Sequence, residues 1–181
     1  KENLSKDEDI ISSLNLVSNY QDITNYNKDI FDLQKKSLLF ILNKYIHKNS
    51  QYAIAILDKN KFLVARQDYH LESKSGYVTF EKNSQATFLD QNDQIVDSVT
   101  LDTVQLCSSN INTTFNDNCY RFCTSNEIII NNQVIGFIIV EYFLGTHLLN
   151  NISHDLLSPI SLSTEQGHHI ISNSTPKDAN G

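Results

Sequence analysis

The stretch S-N-E-I-I-I-N-N-Q-V-I-G-F-I-I-V-E-Y-F, Ser125 to Phe143, decides the fold. Two β-branched runs, Ile128 to Ile130 and Val134 to Val140, flank the turn pair Asn131-Asn132. That order reads as strand, tight turn, strand, with Gly136 as a bulge or a point of close backbone approach. A similar unit lies earlier, where Ala53 to Leu57 and Phe62 to Ala65 flank Asp58-Lys59-Asn60-Lys61. Two hairpins behind a helical segment predict an α+β domain built on an antiparallel sheet. Such a layout suits ligand sensing better than catalysis.

Upstream, Ile10, Leu14, Val17, Ile23, Ile30, Phe31, Leu38, Leu42 and Ile46 recur largely at helical spacing, and no Gly or Pro precedes Gly76. Asp7 to His47 therefore reads as one long helix, or as two with a break near Thr24 to Asn27, where polar residues weaken helix propensity. Downstream of the first hairpin, Gly76 to Phe80 and Ala86 to Leu89 are strand candidates. Asp90 to Asp93 is a turn, and Gln94 to Val104 is a strand or short helix. Tyr120 to Cys123 is expected to open a central strand. Leu144 to Ile152 reads as helix, and Ile160 to Leu162 with His169 to Ser172 as a weaker hairpin. The organisation expected is a helical segment over 7–48, a sensor domain over 51–152 and an extension over 153–181, a hairpin or the start of a second module.

The chain has 181 residues, 40% of them hydrophobic, and a formal charge of −7. That is room for one ordinary domain with a real core. The acidic balance and the lack of a basic patch argue against nucleic acid as a partner. No segment reaches the roughly 18 unbroken apolar residues of a membrane helix, and no signal peptide is visible. The expectation is a soluble portion whose membrane segments lie outside this stretch. Cys107, Cys119 and Cys123 form an odd set, so one thiol stays unpaired in a monomer. On a helix Cys119 and Cys123 would share a face; in an extended strand they lie too far apart to bridge. A disulfide and buried free thiols both remain open.

Catalytic signatures are missing: no Walker loop, H-E-x-x-H, G-x-S-x-G or G-x-G-x-x-G occurs. No enzymatic activity and no cofactor is expected. Ser153-His154-Asp155-Leu156-Leu157-Ser158-Pro159-Ile160 resembles the phospho-acceptor box of histidine kinases, with Leu157 in place of the usual Arg. The segment after it is weakly helical, so a histidine at a helix end is the plainer reading. His168, His169 and Glu165 could bind a metal, but adjacent histidines on a strand point to opposite faces. Asp90, Asp93 and Asp97 lack the spacing and glycine of a calcium loop.

The hairpin A-I-A-I-L-D-K-N-K-F-L-V-A-R and the later S-N-E-I-I-I-N-N-Q-V-I-G-F-I-I-V-E-Y resemble the corresponding hairpins of the Cache family. These are PAS-like extracytoplasmic sensor domains of bacterial histidine kinases, diguanylate cyclases and chemoreceptors. The resemblance covers about Asp7 to Leu149. Asn60-Lys61 stands where the family has a turn glycine, and the Trp of its amino-acid-binding subset is absent. The resemblance implies a central antiparallel sheet of about five strands packed on a long N-terminal helix. It implies an unidentified small-molecule ligand in a cavity lined by Arg66, Tyr69, His70 and Tyr77 on one side and by Tyr120, Arg121 and Glu141 on the other. It further implies a periplasmic location on an inner-membrane protein, and a homodimer through the N-terminal helix. In that setting Arg66 and Arg121 would grip a carboxylate or phosphate, unless they are solvated strand-end residues.

Overall fold

The computed structural model describes residues 4–46, 52–68, 75–81, 85–98, 119–156, 160–163 and 169–172. After a 3₁₀ turn at Leu4–Lys6, Asp7 starts helix α1 (Glu8–Tyr20). Its carboxylate accepts from the N–H groups of Asp9 at 3.0 Å and Ile10 at 3.1 Å, which satisfies two of the free donors at a helix start. Helix α2 follows at Lys28–Tyr45. The single long helix is thus replaced by its alternative, a pair broken at 21–27. Tyr26 supplies the physical reason. Its ring packs 5.5 Å from Phe31 and 5.2 Å from Phe80, and its hydroxyl donates to Asp32 at 2.6 Å. These contacts tie the connection to the end of the sheet, and α2 runs back along α1.

Nine strands occur among the described residues: β1 (Tyr52–Asp58), β2 (Leu63–Gln67), β3 (Gly76–Phe80), β4 (Ala86–Leu89), β5 (Ile95–Ser98), β6 (Cys119–Ile130), β7 (Gln133–Gly145), β8 (Ser161–Ser163) and β9 (His169–Ser172). The first seven form one sheet of order β5-β4-β3-β2-β1-β7-β6, and β8-β9 form a separate pair. Every pairing is antiparallel. Helix α3 (Thr146–Leu156) follows β7 directly. The sheet has seven strands where about five were expected, because β3, β4 and β5 extend it beyond β2. The two sequence-similar hairpins meet in its interior through β1 and β7, with Ala55 opposite Ile139. β6, expected to be central, is an edge strand.

The turns explain the register. Asp58 accepts from the N–H groups of Asn60 (2.8 Å) and Phe62 (2.9 Å), and Lys61 adopts φ 68°. Asp90 repeats this with Asn92 (2.8 Å) and Gln94 (2.9 Å), and Asp93 adopts φ 64°. A residue in the left-handed region followed by a bulge is a common three-residue hairpin solution. Asn131 and Asn132, both at positive φ, close the β6–β7 hairpin in two residues.

Helices and sheet share a core of Ile10, Leu14, Leu38, Leu42, Ile54, Ile56, Ile128 and Ile138, among others. Lys35 lies inside it. Its Nζ donates to the Val78 carbonyl at 2.8 Å and stands 4.8 Å from the ring centres of both Tyr26 and Phe80. Burial pushes its pKa down to about 7, against the pull of Asp32 and Asp58. Between that value and its ordinary 10.5 the unfolded chain holds a proton that the folded one has released. Stability is therefore expected to rise with pH from about 7 to 9.5. Tyr26 and Tyr77, whose pKa values are raised by burial, stay neutral across that window. Thermal unfolding at stepped pH should show the rise, and Lys35→Met should flatten it while gaining about 1–3 kcal/mol at pH 6. A flat native profile would mean that the ammonium stays charged.

Candidate functional site

Side chains alternate along a strand, so the sheet has two separate faces. Ile54, Ile56, Ala65 and Tyr77 belong to the helix-side core. Ala55, Leu57 and Ile139 form a second cluster with Leu63, Cys123 and Phe137. Arg66 pairs with Ala55, and Glu141 lies two residues from Ile139 along β7. Both therefore belong to this second face, away from α1 and α2.

There Arg66 Nη2 lies 2.7 Å from Asp68 Oδ2 and 2.7 Å from Glu141 Oε2. The side chains of Asp68 and Glu141 are only 6% and 4% exposed, and that of Arg66 is 22% exposed. Ser75 clamps the end of β2: its Oγ accepts from the Asp68 N–H at 2.9 Å and donates to the Asp68 carbonyl at 2.7 Å. One guanidinium thus lies between the carboxylate of Asp68, just past the end of β2, and that of Glu141 on β7, across β1 and over the small side chains Ala53 and Ala55. Buried charge of this kind is held in place only when it is paired. Arg66 Nε is buried and finds no acceptor among the described residues.

Of the expected cavity residues, the structure brings Arg66 and Glu141 together. Tyr77 faces the other way, into the helix layer. Its hydroxyl donates to Asp93 at 2.7 Å, and Lys36 grips the same carboxylate at 2.8 and 2.9 Å. The correction follows from register: Tyr77 pairs with Ala65, whereas Arg66 pairs with Gly76. Tyr120 and Arg121 occupy β6 positions opposite Leu144 and Phe143. Tyr69 and His70 lie outside the described residues. Asp68 was missed in the sequence because a carboxylate after a strand looks solvated. Its spacing of two from Arg66 was the available signal.

No protein-family model, no curated protein and no solved structure matches this chain. The reading of the site rests on its own geometry.

His154 lies in the last turn of α3 with a side chain 89% exposed, its Nδ1 3.8 Å from Asp155. The helix ends at Leu156 and strand β8 begins at Ser161, so the long continuous helix of a phospho-acceptor box is not formed. Among the described residues no group of three metal-ligating side chains occurs. His168 and Glu165 lie outside the described residues, and His169 opens β9.

Cys123 pairs with Glu141 in the β6–β7 ladder and is disulfide-bonded. Cys119 lies four residues away on the same strand, about 13 Å at ~3.3 Å per residue, against a limit of ~7 Å for bridged Cα atoms. Cys107 itself lies outside the described residues. Non-reducing peptide mapping is expected to find Cys123 in a disulfide with a residue other than Cys119. A Cys119–Cys123 link would contradict a continuous β6.

Proposed function

We propose that this chain is the extracytoplasmic ligand-sensing part of a bacterial transmembrane receptor, PAS-like in fold and similar to Cache domains, without catalysis of its own. The observation that carries this reading is the buried Arg66–Asp68–Glu141 cluster on the sheet face opposite the helices. Such a cluster is costly as pure scaffolding, since apolar side chains of similar volume serve a core as well or better. Arg66 Nε is a buried donor with no acceptor among the described residues. A small polar molecule with an acceptor for Arg66 Nε suits it. A simple anion suits it less, because Asp68 and Glu141 already engage the guanidinium.

Two further observations favour the reading. The Cys123 disulfide fits an oxidising compartment outside the cytoplasm. Lys61 adopts positive φ at the place where the Cache hairpin carries glycine. The route of the signal would be β7. Glu141 lies near one end of this strand, and Gly136, near its other end, packs directly against Leu14 of α1. A ligand that changed the Arg66–Glu141 contact would shift β7 and, with it, the helix pair.

Thermal-shift screening against small acids, amines and divalent ions tests the proposal. At millimolar concentration at least one class should raise Tm, and that shift should disappear in Arg66→Lys, which keeps the charge but loses the planar fork. No hit in any class would favour a protein-interaction module instead.

A further inference from the structure

The helix layer does not cover the sheet evenly. Helices α1 and α2 lie chiefly over β1, β2, β3 and β7, and the short turn Leu4–Lys6 lies over β6. The step between them leaves a cleft of about 500 Å³ on the helix side of the sheet, a volume within the range of small-molecule sites. Its floor is apolar, made by Ile54, Ile138 and Val140. Its walls are three tyrosines. Tyr52 and Tyr142 pair across β1 and β7 with ring centres 6.0 Å apart, and Tyr45 comes from the end of α2. Register sets Thr124 opposite Val140 and Asn126 opposite Ile138. Both side chains therefore share the face of the floor and form an exposed polar lip at the sheet edge.

Two features set this cleft apart from a packing gap. Two of its tyrosine hydroxyls are spent on the protein itself. Tyr45 donates to Asp7 at 2.6 Å, and Tyr52 donates to the Tyr45 carbonyl at 3.0 Å. These bonds fix the rings before any ligand arrives, so what they offer is ring surface. The second feature is charge. Among the described residues that line the cleft none is charged, in a chain with 14 basic and 21 acidic residues. Asp7, which ties the roof to Tyr45, is already engaged by the first N–H groups of α1.

We propose that this cleft is a second binding site, for a small neutral aromatic molecule that carries one hydroxyl or N–H group, such as a phenol or an indole. Its ring packs among Tyr45, Tyr52 and Tyr142 above the aliphatic floor. Its polar group reaches Thr124 or Asn126 at the lip. Aromatic walls favour a ring over a chain of the same size. A carboxylate or an ammonium would enter without a counter-charge and give up its hydration. The site stands on the sheet face opposite Arg66 and does not depend on the sensor reading.

Titration of the chain with p-cresol and with indole, followed by backbone-amide NMR, tests the proposal. Each should bind with Kd between about 10 µM and about 1 mM, as ligands of this size allow. The shifts should concentrate at Thr124, Asn126, Val140 and Tyr142. Benzoate and benzylammonium should bind about tenfold more weakly or less. Asn126→Trp, a change at an exposed position, should fill the mouth and abolish binding with Tm little altered. Thr124→Val combined with Asn126→Ala should weaken p-cresol about fivefold, the worth of one hydrogen bond, and leave toluene unaffected. Arg66→Lys should change none of this, which separates the site from the Arg66 cluster. No saturable shift up to ~10 mM, shifts centred elsewhere, or unchanged binding by Asn126→Trp overturns the site. Benzoate binding as tightly as p-cresol overturns its assignment to neutral ligands.

Discussion

Replacing Arg66 with methionine is expected to cost about 3–5 kcal/mol of folding stability, the usual result of stripping one partner from a buried charge pair. The case here is sharper than a single pair. Asp68 and Glu141 both lie within 2.7 Å of the same guanidinium nitrogen. Without it two carboxylates face each other in a poorly solvated place. Methionine keeps much of the stem's volume, so the loss would report charge and not a cavity. The triple variant Arg66→Met, Asp68→Asn, Glu141→Gln should recover most of it, since no net charge then remains to be compensated. Urea titration of the three proteins measures the comparison. A loss below about 1 kcal/mol for Arg66→Met would show that water reaches the cluster freely, as at surface ion pairs.

Gly136→Ala is expected to be comparably damaging, by about 3 kcal/mol. An added Cβ would stand 2.2 Å from the Leu57 carbonyl oxygen and 2.6 Å from a methyl group of Leu14. The Leu14 side chain can rotate away. The carbonyl cannot, because it belongs to β1, which is paired on both sides. Leu14→Ala should therefore fail to rescue Gly136→Ala, and the double variant should be less stable than either single one. Denaturation of the set decides it. Rescue by Leu14→Ala would place the conflict in the side chain and not in the β1–β7 ladder. Gly76 presents a similar conflict with the Leu89 carbonyl at 2.3 Å.

How far the fold could be read depended on whether the deciding interactions were local. The hairpin turns at Asp58–Lys61 and Asn131–Asn132 were legible because their chemistry lies within a few residues. So were the strands around Ala53–Leu57, Gly76–Phe80 and Ala86–Leu89, with their apolar and β-branched runs. Strand order was not legible. Nothing near Cys119–Ile130 says that it borders the sheet, because β7 pairs with β1, far away in sequence. The break between α1 and α2 was only one of two readings, since the burial of Tyr26 depends on Phe80, far away in sequence. Of the candidate site, Arg66 and Glu141 were named from the resemblance, and the geometry joins them. Tyr77 was assigned to the wrong side because its face depends on the β2–β3 register, and Gly76 and Ser75 set that register through backbone contacts that no local pattern reveals.

The position of β7 also has a consequence for how the protein is made. Helices α1 and α2 and the β1–β5 meander can assemble as soon as they leave the ribosome. One side of β1 then stays unpaired until Gln133–Gly145 emerges, a late, long-range closure that is slow by nature. In the interval the nascent chain presents an open row of amides beside Ile54, Ile56 and Leu57, a template for wrong partners. Truncated forms ending before β7 should therefore aggregate during expression, and chaperone dependence should be greatest over that stretch of synthesis.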